Sequence, residues 1–231
     1  IVDLNMGCPA KEVTGVASGA ALMRDLDLAE RLIAAAVSAT ARPVTLKMRL
    51  GWDDRSRNAP ELAQRAERAG VQGITVHGRT RNQFYKGIAQ WRAVAEVKAA
   101  IKLPVIVNGD IVDAASARTA LAQSGADAVM IGRGAYGRPW IAAALERALA
   151  ENVELTEPEP RERLAIALDH FGDSLNFYGD PHGVKIFRKH LGWYIDQAPA
   201  AAEAKRAARG ALCRMQAPRE IESGLTALWA A

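Results

Sequence analysis

A lone thiol stands where a strand-like run gives way to a shaped turn. Ile1-Val2-Asp3-Leu4 breaks directly into Asn5-Met6-Gly7-Cys8-Pro9-Ala10. A single cysteine is either a small buried hydrophobe or, past the C-terminal end of a strand in a βα-repeat protein, a catalytic group. Free thiols are mostly protonated at neutral pH. Without a cation beside it, Cys8 is therefore better suited to donate a proton than to attack as a thiolate. Lys11 is close in sequence and could alter that balance.

Further clusters carry chemistry. Lys47 interrupts the apolar run Val44–Met48. An ammonium is costly to bury unpaired, so its head is either in water at a sheet edge or turned to an electron-rich group. Thr75-Val76-His77-Gly78-Arg79-Thr80-Arg81 ends another run with a histidine and two arginines. This pattern suits anion recognition or proton transfer, or an ordinary solvated loop. Asn108-Gly109-Asp110 and Gly132-Arg133-Gly134 end the next two runs. Glycine-rich turns that open a helix can hold a phosphate on backbone N–H groups. Near the C-terminus Lys185, Arg188 and Lys189 are spaced to share one helix face, and Lys205, Arg206 and Arg209 form a second basic cluster. Such faces are either solvated or touch a polyanion.

Apolar strand runs are predicted over 1–4, 44–48, 73–76, 105–107 and 128–131. Amphipathic helices are predicted over 25–41, 59–69, 91–100, 114–123 and 139–150. Gly70 and Gly125 are placed as helix C-caps. The alternation specifies an α/β architecture with a parallel sheet and right-handed crossovers. Five units make an open sheet or five-eighths of a barrel, and the start directly on a strand favours the latter. The expected fold is a TIM (β/α)8-type barrel lacking its first three strands, followed by a small all-α helical domain. The domains read as 1–150, a Pro- and acid-rich linker over 151–160, and helices over 161–231, at about 161–178, 182–197, 200–215 and 218–230.

The composition is that of a soluble globular domain: 231 residues, 49% hydrophobic, net charge +4. No run reaches the length of a membrane span, and the start is neither a signal nor a transit peptide. Two cysteines without a CxxC pair give no disulfide framework and no metal site. A reducing cytoplasm fits that usage.

The Asn-Met-Gly-Cys-Pro-Ala-Lys turn, Leu-Lys-Met-Arg-Leu-Gly-Trp, Val-His-Gly-Arg-Thr-Arg, Asn-Gly-Asp-Ile, and Gly-Arg-Gly-x-x-Gly-Arg-Pro-Trp resemble the bacterial tRNA-dihydrouridine synthases. Arg188 to Tyr194 resembles their B-type branch. The resemblance implies an FMN-containing barrel with a helical domain that holds tRNA. It implies Cys8 as proton donor to C5 of a uridine. Lys47, His77, Asn108, Gly109, Asp110, Gly132 and Arg133 would contact FMN, and Arg79, Arg81, Lys185, Arg188 and Lys189 would contact RNA. NADPH would reduce the flavin, which would pass hydride to C6. The family's first strand and a flavin-contacting glutamine are absent, and 12–18 departs from the commoner wording. The resemblance thereby implies weak flavin binding by this chain alone. Two other readings remain: an FMN barrel acting on a free pyrimidine or other small molecule, and an inactive RNA-binding remnant.

Overall fold

The computed structural model of the chain describes residues 1–230. Five strands form one sheet: β1 (Val2–Met6), β2 (Val44–Arg49), β3 (Ile74–His77), β4 (Val105–Asn108) and β5 (Ala128–Met130). All pair in parallel, in the order β1-β2-β3-β4-β5. The connections carry α1 (Lys11–Thr14), a 3-10 segment (Gly19–Arg24), α2 (Leu26–Ser38), α3 (Ala59–Ala69), α4 (Trp91–Ala100) and α5 (Ala114–Ser124). Each strand is added on the same side of the last. Right-handed crossovers then place every helix on one face, as in a barrel wall. This is the partial-barrel arrangement that the sequence predicts.

The register sorts the residues onto two faces. Val44, Leu46 and Met48 align with Ile74 and Val76, and these with Val105 and Val107. All seven are at most 2% exposed, and this apolar face lies under the helices. The opposite face carries Asp3, Asn5, Thr45, Lys47, Arg49, Thr75, His77 and Asn108. A parallel sheet covered by apolar layers on both sides reads as continuous hydrophobic runs. The polar second face, with Asp3 accepting from the Thr45 hydroxyl at 2.7 Å, is therefore the one reserved for chemistry.

Strands β2, β3 and β4 end on Arg49, His77 and Asn108, past the apolar runs predicted from sequence. Backbone pairing carries the ladder on, because Arg49 pairs with His77 and His77 with Asn108. Gly70 (φ 98°) and Gly125 (φ 63°) cap α3 and α5 in the left-handed region, as predicted. Asp25 caps α2 through the Leu28 N–H. The short elements at 11–14 and 19–24 are not part of the sequence reading; neither is long enough to show helical periodicity.

Backbone contacts divide the chain into two units, Ile1–Arg133 and Gly134–Ala231. The second contains α6 (Ile141–Ala150), α7 (Pro160–Tyr178), α8 (Asp180–Gln197), α9 (Ala202–Leu212) and α10 (Pro218–Ala230). Its core joins Phe171, Phe187, Leu191, Tyr194, Ile195, Leu225 and Trp229. Helices α7 and α8 approach closely at Gly183, where a Cβ would lie 2.7 Å from the Ser174 carbonyl oxygen. Glu157, in the acidic segment, accepts from Arg138 and Trp140.

Candidate active site

The Cys8 turn is fixed from both sides. The Asn5 carboxamide oxygen accepts from the N–H groups of Gly7 and Cys8, each at 3.0 Å. From β2, Arg49 Nε donates to the Gly7 carbonyl at 2.7 Å. The Cys8 carbonyl accepts from Ala20 N–H at 3.0 Å. Gly19, at φ 58°, passes so close that a Cβ would lie 2.8 Å from the Cys8 oxygen. Cys8 itself is half-buried at the C-terminal end of the sheet.

Arg49 is the residue that sequence reading misses. It is 2% exposed, and its Nη1 donates to the carbonyls of Thr80 (3.0 Å) and Phe84 (2.8 Å). One guanidinium thus ties the Cys8 turn to the loop after β3. Burial lowers its pKa to about 10, with Tyr85 opposing and Arg79 adding to the shift. The available signal was its place two residues past Lys47, hence on the same face of the strand.

The polar face ends in nitrogens without protein partners among the described residues. Among the described residues, Lys47 Nζ, Arg49 Nη2 and His77 Nδ1 have no hydrogen-bond partner, and none is sealed from solvent. Burial, then Arg49, lowers the pKa of Lys47. Burial, then Arg49, Lys47 and Arg79, pushes His77 down to about 3, so its ring is neutral. Gly109 (φ 114°) makes room for that ring: a Cβ there would lie 2.8 Å from His77 Cδ2. The free donors on Lys47 and Arg49 fit the electron-rich ring edge of the flavin that the resemblance implies.

Other predicted residues have different occupations. Asn108 donates to the Met130 carbonyl at 2.9 Å and joins β4 to β5. Asp110 (φ 56°) accepts from Arg79 Nη2 at 2.5 Å, from Ala89 N–H at 2.8 Å and from Arg133 at 3.3 Å. Burial opposes its ionisation, but these partners hold its carboxyl below the usual range. Gly132 is open: a Cβ there would meet no atom within 4 Å. The glycine-rich turn after β5 leads only to a three-residue 3-10 turn, Arg133–Ala135, and the regular helix starts at Ile141. The expected helix N-terminus at that turn is thus corrected, because a single 3-10 turn aligns too few peptide dipoles. What faces outward there is the Gly132 backbone and the half-exposed Arg133.

The expectation for Arg79 is also corrected. It is 1% exposed, donating to the carbonyls of Lys86 and Gly87 as well as to Asp110, and so presents no face to RNA. Arg81 stacks on Trp52 (4.5 Å) and Phe84 (5.0 Å) and reaches the Thr14 hydroxyl at 3.3 Å. Arg24 covers Trp52 as well, at 4.8 Å, so the loops around the Cys8 turn are laced together. In the helical unit, Lys185 and Lys189 are exposed on α8, Lys189 lying 5.4 Å from the Trp193 ring. Arg188 does not share that surface; it is partly buried and its Nε is shut off from solvent. Arg209 and Lys205 bind α8 through Asp196 and Gly192.

The family model described as Dihydrouridine synthase (Dus) matches residues 1–224. The chain is 56% identical over 209 residues to a probable tRNA-dihydrouridine synthase of Rhodobacter capsulatus, covering 90% of this chain and 64% of that protein. It is 50% identical over 222 residues to another from Rickettsia bellii, covering 96% and 67%. A tRNA-dihydrouridine synthase B of Xanthomonas campestris pv. campestris is 47% identical over 203 residues, covering 88% and 61%. The chain therefore spans about two thirds of the length of the curated relatives it matches.

Proposed function

The chain belongs to the dihydrouridine synthase family, and from that premise we propose that it forms part of an FMN-dependent oxidoreductase that reduces uridines in tRNA to 5,6-dihydrouridine with NADPH. The observation that carries this reading is the convergence, at one end of the sheet, of the Cys8 turn with three nitrogens that have no partner among the described residues, Lys47 Nζ, Arg49 Nη2 and His77 Nδ1. The names of the relatives support tRNA as the substrate.

The chemistry that FMN, once bound here and reduced by NADPH, would supply is a hydride for C6 of the uracil. Cys8 gives its thiol proton to C5, so the C5=C6 double bond gains one hydride and one proton. The sulfur then regains a proton from water. Asn5 and Arg49 hold the Cys8 peptide so that the thiol stays over the strand ends. Lys47 and His77 would offer N–H groups to the electron-rich ring edge, with the His77 ring seated against Gly109. Asn108 braces β4 against β5 beneath the site. Arg133 and the open Gly132 backbone are assigned to the phosphate. Asp110 acts through Arg79 and Arg133, orienting both. A uracil must leave its base stack to reach this place, which favours nucleotides of flexible loops. Lys185 and Lys189 are assigned to tRNA phosphates.

The test uses the full-length protein that contains this sequence. Unmodified tRNA is incubated with it and NADPH, digested, and analysed by mass spectrometry. The expected result is specific uridines that gain two hydrogens, lost in Cys8→Ala. Flavin binding and NADPH oxidation without any gain would discard tRNA and favour a free pyrimidine. Tight tRNA binding with neither flavin nor turnover would mark an RNA-binding remnant.

A further inference from the structure

We infer that Arg79 is a positioning residue that fixes His77 as its Nδ1–H tautomer. Strand β3 then presents a neutral N–H donor, rather than an acid or base, to an acceptor bound over the strand ends. The identity of that acceptor as the flavin ring edge rests on the reading above; the tautomer does not.

The argument begins with what an arginine can do. A guanidinium carries donors only. Arg79 Nη1 lies 3.2 Å from His77 Nε2, and both residues are buried. Nε2 must therefore accept. A ring that accepts at Nε2 and is neutral carries its proton on Nδ1. An imidazolium would set N–H against N–H in a buried place. Arg79 cannot turn away, because its Nε and Nη2 are held by the Lys86 and Gly87 carbonyls and by Asp110. Asp110 is itself fixed by the Ala89 N–H and by Arg133.

The surroundings agree from every side. Strand β2 brings Lys47 and Arg49 beside the ring, and both disfavour a charged imidazole. Asp110, after β4, favours it, and Arg79 occupies that carboxylate. Tyr85 lies 6.3 Å away, ring to ring. The ring packs closely on Gly109: a Cβ there would lie 3.0 Å from Nε2. His77 Nδ1 is the atom with no partner among the described residues and with access to solvent. At a site where Cys8 supplies the proton, a fixed donor tautomer keeps His77 from competing as an acid.

The test is long-range ¹H–¹⁵N correlation on the full-length protein labelled at its histidines, with His77 assigned by its loss in His77→Gln. The expected spectrum has a pyridine-like Nε2 and a pyrrole-like Nδ1, unchanged between about pH 5 and 8. A pyrrole-like Nε2, a mixture of tautomers, or an imidazolium in that range overturns the inference. Arg79→Met is expected to release the ring into mixed tautomers that titrate. Retention of Nδ1–H in that variant also overturns it, and if the variant does not fold, the wild-type spectrum still decides. A flavin titration by fluorescence runs in parallel. Flavin that binds without moving the Nδ1 signal refutes the donor role. A correct tautomer in a protein that never binds flavin discards the flavin reading instead.

Discussion

At the scale of single residues, the proposed function assigns proton supply and hydrogen-bond donation to different side chains. Cys8→Ala in the full-length protein is expected to lower dihydrouridine formation by about 10²–10⁴-fold, the usual share of a general acid. Flavin content should stay unchanged, as absorbance would show. The neutral state of His77 has a consequence for stability. Its folded pKa, near 3, lies below the unfolded value of about 6.5. The unfolded chain thus binds the extra proton, and stability falls as pH drops through that window. Wild type is expected to lose about 1.4 kcal/mol per pH unit relative to His77→Gln below about pH 6.5. Urea unfolding of both proteins at several pH values checks this, and parallel curves would refute it. Cys8, Lys47 and His77 were legible because each is a reactive or charged group breaking an apolar run. Arg49 and Arg79 were not legible in their actual places. Their partners are backbone carbonyls from 31 to 42 residues away or on the adjoining loop, which no local pattern encodes.

At the scale of elements, polar residues on the last rung of β2, β3 and β4 give the site its rigidity. Arg49, His77 and Asn108 lie side by side on the ladder, not on loops. The Cys8 turn is less constrained by regular structure and depends on close packing at Gly19. Gly19→Ala is expected to cost about 1–3 kcal/mol, because its left-handed backbone is strained for any side chain and its Cβ would meet the Cys8 carbonyl. Urea denaturation reads the cost. Faster alkylation of Cys8 by iodoacetamide would report that the turn has loosened, whereas an unchanged rate with unchanged stability would refute the account. The strand and helix order was legible from periodicity, as were the Gly70 and Gly125 caps. Strand ends and the two short segments before α2 were not, since pairing rather than composition fixes them.

At the scale of the whole molecule, the sheet has two outer strands, β1 and β5, with no partner on their outer edges among the described residues. Val2 is 38% exposed and Asp3 and Asn5 are exposed on the polar face. Unpaired strand edges invite association. This 231-residue chain is accordingly expected to hold FMN weakly and to self-associate, which equilibrium dialysis and light scattering would measure; a stoichiometrically yellow monomer would refute both. In the helical unit, Lys185→Glu with Lys189→Glu is expected to weaken tRNA binding by the full-length protein. Each lost phosphate contact should also reduce the slope of log K against log salt by about 1. An unchanged slope would free those lysines of the role. The sequence by itself determined the parallel αβ order and the helical tail, because hydrophobic periodicity is a local signal. The tertiary structure alone decided which polar residues keep open nitrogens and which are enclosed as braces. Arg79 and Arg188 look like surface cations in sequence, yet packing encloses them in full or in part. Long-range register and carbonyl geometry, not residue type, assign a buried guanidinium its partners.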